Sequence, residues 1–342
     1  MTEQIGRYPV TRMLGAGAFA TVWLGHDPQF DVDVAIKVLA ENWAADAGIR
    51  ERFVAEARFL RRIRDRRIVH VYDIGTLGDG RPYFVMDYLD GGTLEDLRRS
   101  RIPPAEALRL CAEAARGLEV LHRHRLVHRD VTPGNLLLSS RPSAARPDGT
   151  RTVVVADLGV ARSVVDSSAG AMIVGTPSYM APEQAGSGVV DHRADVYSLT
   201  AVAYALLTGH PPFRVERVAE LTTRAADAEP PPIAASLGAP ATLDGLFVSG
   251  LATDPHRRPP SAALLADAFD QLAADLTGVP AAPPPAAPPP AAPPPVVAPV
   301  RQRPRAPAPV REGRSSAFYI GMTVLAVVVF ALFVTVVLGL SL

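Results

Sequence analysis

The chain has 342 residues, 48% of them hydrophobic, enough to bury a sizeable core in one large domain or two modest ones. Its 35 Lys and Arg balance its 35 Asp and Glu, so charge gives no electrostatic case for nucleic acid as a partner. The single cysteine, Cys111, excludes an internal disulfide and a thiolate metal cluster. It fits a reducing compartment, and in its apolar helical run it reads as an inert core thiol.

The opening "MTEQIGRYPV" has no basic stretch followed by an apolar run, so no cleaved signal peptide is expected and the N-terminal part is expected in the cytosol. From there to Gly278, strand-like and helix-like segments alternate, as in a globular unit. "MLGAGAFATVWLG" supplies Gly15 and Gly17 between strand-like runs, where backbone amides can close over phosphates. A plain Gly-rich hairpin has the same composition, and Ala20 replaces the third glycine expected of a phosphate loop. "VAIKVL" alternates as a strand and sets Lys37 among apolar neighbours, where an ammonium needs an anionic partner. Helix is expected over "ERFVAEARFLRRIRDRR", with Glu56 on the inward face beside Phe53 and Leu60, so a Lys37–Glu56 ion pair is expected. The arginines around it read as a solvated face.

"VHRDVTPGNLLL" places Asp130 and Asn135 five residues apart in a Pro- and Gly-containing loop, and Asp157 ends the β-branched run of "VVVADLGVA". Phosphoryl transfer needs mainly positioning and charge neutralisation, so a carboxylate for the hydroxyl with an Asn and an Asp for Mg²⁺ make a minimal set. The intervening "SSRPSAARPDGT" is polar and turn-rich and reads as a surface excursion. His122, His124 and His128 lack the acidic or cysteine companions of a zinc site.

Beyond Gly278 the composition changes. Val279 to Val310 is mostly Pro, Ala and Val, with "AAPPP" three times in succession, and reads as a polyproline-like spacer in preference to a ligand for a Pro-binding module. Residues 279–316 are expected to form a basic juxtamembrane linker. Ala317 to Leu342 carries no charge and is long enough to cross a bilayer. Arg301, Arg303, Arg305, Arg311 and Arg314 precede it and keep the preceding chain cytoplasmic by the positive-inside rule. The expectation is a single-pass tail anchor in the cell membrane, in contact with lipid, without an outer sensor domain.

The order and spacing of these motifs resemble a Ser/Thr protein kinase of the eukaryotic (Hanks) type, closest to the membrane-anchored bacterial group. The resemblance covers about Tyr8 to Leu276 and implies a two-lobed α+β fold, with a β-rich N-lobe over about 8–86 and a helical C-lobe over about 90–276. It further implies that Gly15 and Gly17 cover the phosphates of ATP, that Leu14 also contributes to the nucleotide site, that Val22 and Ala35 sandwich the adenine over Leu137, and that Met86 is the gatekeeper before a hinge at Asp87 to Leu89. By the same resemblance Lys37, held by Glu56, meets the α- and β-phosphates, Asp130 is the catalytic base, and Asn135 and Asp157 hold Mg²⁺ or Mn²⁺. "VGTPSYMAPEQA" is similar to the end of an activation segment. There Thr176 would orient the acceptor hydroxyl of a protein substrate and Glu183 would pair with Arg258 of "DPHRRPP", while Asp195 of "DHRADVYSLT" resembles the residue that braces the catalytic loop. Arg129 before Asp130 suits a loop switched on by phosphate, with Ser163, Ser167 and Ser168 as the available acceptors.

Two positions depart from the family pattern. Leu158 replaces the Phe of the DFG motif and can fill the same apolar slot beside His128 and Leu60. Thr132 replaces the catalytic-loop Lys, a loss of about 3 kcal/mol, or about a hundredfold in rate, by analogy with other single stabilising donors. The reading is an active kinase transferring the γ-phosphate of ATP to Ser or Thr of proteins, with autophosphorylation between tethered neighbours. Its rivals are an ATP-binding scaffold and a small-molecule phosphotransferase.

Overall fold

The strand that carries Lys37 is buried on both faces, and its surroundings account for the N-terminal half of the fold. In β4 (Val32–Leu39) side chains alternate. Val34, Ile36 and Val38 enter a small cluster with Tyr8, Val10, Tyr83 and Val85, while Ala35 and Leu39 face the main core with Lys37 between them. The structure, a computed structural model, describes residues 4–140, 151–158, 177–186, 189–215, 217–223 and 228–278. Its first sheet is antiparallel, built from β1 (Gln4–Ile5), β2 (Tyr8–Ala16), β3 (Ala20–Asp27), β4, β5 (Val71–Thr76) and β6 (Pro82–Asp87) in the order β1-β2-β3-β4-β6-β5. Register sets Lys37 opposite Val22 on one side and Phe84 on the other.

One helix packs on this sheet. In α1 (Ala47–Arg62) the Asp46 side chain caps the start by accepting the Ile49 N–H at 2.9 Å. The buried stripe is Ile49, Phe53, Glu56, Ala57 and Leu60, one helical face at 3–4 residue spacing. Phe53 meets Phe84 of β6 with ring centroids 4.9 Å apart, which seats Glu56, a turn further on, opposite Lys37. The helix ends at Arg62, short of the expected Arg67. Ile63 turns extended and is buried, and Asp65 closes a turn by accepting the Arg67 N–H at 2.9 Å. That turn sends Ile68 and Val69 into the core, a tertiary gain that overrides the helix preference of the arginines.

The second half is mainly helical: α2 (Leu94–Ser100), α3 (Pro104–Arg123), α4 (Arg193–Thr208), α5 (Ala219–Thr223), α6 (Ala234–Leu237), α7 (Thr242–Gly250) and α8 (Ala262–Thr277), with a short hairpin of β7 (Leu136–Ser139) and β8 (Thr152–Val155). Every residue from Ala194 to Leu206 of α4 is buried, as expected of a helix apolar on all sides. The N-terminal sheet and this helical unit form the expected two-lobed arrangement, all within one compact unit, Met1–Pro285. Cys111 lies fully buried in α3, where burial pushes its thiol pKa up. Gly117 of α3 lets β8 approach: a Cβ there would come 2.7 Å from a Val155 methyl and 3.2 Å from the Arg67 carbonyl.

Arg258, 3% exposed, ties three elements together. It makes a bidentate pair with Glu183 at 2.6 and 2.8 Å, donates to the carbonyls of Ala252, Thr253 and Arg193, and lies 5.0 Å from the Tyr197 ring centroid. Among the described residues no helix is long and apolar enough to cross a membrane; the apolar run 317–342 and the linker 279–316 lie outside them. Removing one partner of a buried pair strands the other, so Arg258→Ala should lower the unfolding free energy by about 3–5 kcal/mol in urea titration. Arg99→Ala, whose side chain is 69% exposed, should change it by less than about 0.5 kcal/mol. Equal effects would contradict this assignment of the polar core.

Candidate active site

Lys37 is 9% exposed, and its ammonium lies between two carboxylates, 3.1 Å from Glu56 Oε1 and 2.9 Å from Asp157 Oδ1. β4 supplies the cation, α1 one anion, and the residues just after β8 the other. Burial works against the Lys37 ammonium, but Asp157 and Glu56 together outweigh it and hold its pKa above the ordinary lysine value. Glu56, 2% exposed, is pushed up to about 7, first by burial, with the Lys37 ammonium pulling the other way and the Asp157 charge adding to the rise. One ammonium thus serves two carboxylates, and the more deeply buried of them carries the unbalanced charge at greater cost.

Asp130 and Asn135 are joined directly. Asn135 Nδ2 donates to the Asp130 carbonyl at 2.8 Å and to its Oδ2 at 3.0 Å, so the amide oxygen of Asn135 is left as an acceptor. The loop around them is held from below by Asp195 of α4, which is fully buried. Its carboxylate accepts the His128 and Arg129 N–H groups, each at 2.8 Å, and lies 2.8 Å from His122 Nε2. Arg129 has φ 64° and Asp157 φ 56°, a left-handed backbone that branched or bulky side chains avoid. The hydrogen bonds on each side hold these conformations in place. His128 is fully buried: its Nδ1 accepts the Asp130 N–H at 3.3 Å, so Nε2 carries the proton it donates to the Ala156 carbonyl at 2.9 Å. Burial lowers its pKa, consistent with a neutral ring.

The cleft wall follows from strand register. Ala35 of β4 stands opposite Met86 of β6 and Leu24 of β3. Leu136 and Leu138 point into the core, leaving the half-buried Leu137 on the other face of β7. β7 is tied to the segment after β6 by Gly91 N–H to Leu138 carbonyl at 3.0 Å and Leu138 N–H to Gly92 carbonyl at 2.8 Å. Asp87 accepts the His70 N–H at 2.9 Å and the Tyr72 hydroxyl, and so turns its carboxylate toward β5. Leu89 and Leu14 are half-buried against the core. Gly15 falls inside β2, opposite Val22, and Gly17 closes the turn to β3 by donating to the Ala20 carbonyl at 2.8 Å. Leu158 is buried in the same cluster as Leu60. Thr176, Ser163, Ser167 and Ser168 lie outside the described residues.

Several contacts had no signal in the sequence. Gln184 Nε2 donates to the Arg129 carbonyl at 2.8 Å, joining the segment after Thr176 to the catalytic loop. His122, which sequence considers only as a zinc ligand, supports Asp195 instead, while His124 meets the Phe59 ring edge-on.

The protein kinase domain family matches residues 8–269. The chain belongs to the protein kinase family. Its relatives are bacterial Hanks-type Ser/Thr kinases. The serine/threonine-protein kinase PknB of Mycobacterium tuberculosis H37Rv is 36% identical over 283 residues, which cover 80% of this chain and 43% of PknB. PknL of the same strain is 36% identical over 276 residues, 79% of this chain and 66% of PknL. The crystal structure of the M. tuberculosis PknI kinase domain superposes with a TM-score of 0.61 at 31% identity, covering 79% of the present chain and 98% of that one. The chain therefore spans less than half the length of PknB.

The raised Glu56 pKa has a defined pH signature. The folded chain holds the Glu56 proton more tightly than the unfolded chain, so this contribution to stability is present below the ordinary value of 4.5 and is lost as pH rises through about 7. Glu56→Gln should therefore gain stability relative to the wild type between about pH 5 and about pH 8, read by urea unfolding without nucleotide. A difference independent of pH would contradict the assignment.

Proposed function

We propose that the chain is a Ser/Thr protein kinase that transfers the γ-phosphate of ATP to hydroxyls of proteins, itself included. The observation that carries this reading is the convergence of Lys37, Glu56 and Asp157 from three separate elements, together with the Asp130–Asn135 hydrogen bonds. A solvated surface cluster would have no reason to bury an ammonium between two carboxylates.

In this reading Val22, Ala35 and Leu137 enclose the adenine, Met86 closes the back of the pocket, and the backbone of Asp87 to Leu89 meets the adenine edge. Leu14 lines the nucleotide site, and Gly15 and Gly17 close over the phosphates. Lys37 is oriented by Glu56 toward the α- and β-phosphates. Asn135, with Nδ2 engaged by Asp130, and Asp157, whose side chain is 34% exposed, offer an all-oxygen pair that suits a hard cation such as Mg²⁺ or Mn²⁺. A cation there would neutralise charge on the transferring phosphate. Asp130 orients the acceptor hydroxyl and takes its proton, and Thr176 steadies the acceptor. Asp195 keeps the loop in register, and the Glu183–Arg258 pair fixes the segment that follows Thr176. Arg129 would grip a phosphate on Ser163, Ser167 or Ser168.

We further read residues 8–276 as the kinase domain, 279–316 as the linker and 317–342 as a single membrane span with the kinase in the cytoplasm. The charge-free run and the five arginines ahead of it support this. Deleting 317–342 should move the protein from the membrane to the soluble fraction; retention at the membrane would contradict the anchor.

A second reading, an ATP-binding scaffold, is favoured by Thr132 alone. Labelled ATP with Mg²⁺ or Mn²⁺ and a basic protein substrate separates the two. Transfer should disappear in Asp130→Asn, and Thr132→Lys should raise the turnover rate toward about a hundredfold, the worth of one transition-state donor. Nucleotide binding without transfer in any variant would establish the scaffold instead.

A further inference from the structure

We infer that Trp43 is a positioning residue for the terminal phosphates of the nucleotide, acting through the glycine-rich turn; the inference rests on the nucleotide-binding reading above. The turn between β2 and β3 has little of its own to hold it. Ala16, Ala18 and Ala20 offer only methyl groups, and a Cβ at Gly15 would meet nothing within 4 Å. Yet its tip is fixed at three points by one short segment. Trp43 Nε1 donates to the Ala18 carbonyl at 2.8 Å, and the Ala40 N–H donates to the Phe19 carbonyl at 2.9 Å. The Phe19 and Trp43 rings stack with centroids 5.2 Å apart and planes inclined by 22°.

The anchoring segment sits between the two parts of the Lys37 cluster. Trp43 closes a 3₁₀ turn, Glu41–Trp43, directly after β4, and Asp46 just beyond caps α1. The strand of Lys37, the helix of Glu56 and the tip of the glycine-rich turn therefore share one attachment.

Peptide geometry gives the clamp its consequence. A trans peptide holds its C=O and N–H antiparallel. With the Ala18 carbonyl fixed on the indole, the Phe19 N–H points to the opposite side of the turn. There it has no partner among the described residues, whereas the Gly17 N–H is already engaged by the Ala20 carbonyl. An unengaged N–H aimed in advance is a preorganised donor for a phosphate oxygen. Tryptophan suits the task because it joins a flat face for Phe19 to a ring N–H that reaches the neighbouring carbonyl.

The test uses the full chain with two substitutions. Trp43→Phe keeps a ring for stacking and removes the donor, while Trp43→Leu removes both. Dissociation constants for Mg-ATP and for adenosine, which has no phosphates, would be measured by displacement of a fluorescent adenosine analogue. Trp43→Phe should weaken ATP about fivefold, the worth of one neutral hydrogen bond, and leave adenosine within about twofold. Trp43→Leu should weaken ATP further, again sparing adenosine. Equal weakening of both ligands would mean a merely structural role and overturn the inference, as would unchanged ATP affinity in Trp43→Phe. If the wild type binds neither ligand, the nucleotide reading fails and takes the inference with it; if it binds both and the substitutions have no selective effect, the inference alone fails.

Discussion

A single ammonium shared by two buried or half-buried carboxylates sets the geometry of this kinase domain. An unpaired charge at the depth of Lys37 would be costly, so β4, α1 and the end of β8 must meet in one register for the chain to fold with it ionised. Phe53 against Phe84 supplies the apolar contact that holds the helix in that register. The chain contains 34 arginines and no other lysine, so Lys37 stands where the otherwise universal cation was not used. A compact ammonium, 5.6 Å from the Phe84 ring centroid, turns its three donors to suit two carboxylates, whereas a planar guanidinium directs its donors in a fixed fork.

Below the cluster a second buried charge, Asp195, does for the backbone what Lys37 does for side chains. Its two oxygens hold two successive N–H groups of a loop that includes a left-handed Arg129. Such a conformation costs about 1–3 kcal/mol and persists only where the surroundings over-determine it. Here His122, His128 and Gln184 add further bonds to the same few residues. The rigid part is the apolar helix α4, and the reactive side chains stand on loops fastened to it.

Much of this was legible in the sequence because the chemistry is carried by local patterns. Strand alternation around Lys37, helical spacing of Phe53, Glu56 and Leu60, and the five-residue interval from Asp130 to Asn135 are all short-range features. The end of α1 was not legible: the arginine-rich stretch favours helix, and only the burial of Ile63, Ile68 and Val69 against distant strands ends it. The contacts of Gln184 with Arg129, of His122 with Asp195, and of Trp43 with Ala18 join residues far apart in function or sequence, and no spacing rule marks them. Thr132 is the converse case, plain in sequence while its energetic effect is decided by what the loop does in the transition state.

The most direct test of the central cluster exploits its single lysine. The full chain would be treated with an amine-reactive acyl-phosphate derivative of ATP and digested, and the labelled peptides identified by mass spectrometry with and without excess Mg-ATP. The account predicts label on Lys37, apart from the α-amine, that is suppressed by Mg-ATP. Labelling of Lys37 that Mg-ATP leaves unchanged, or no labelling of Lys37 in a folded chain, would contradict it.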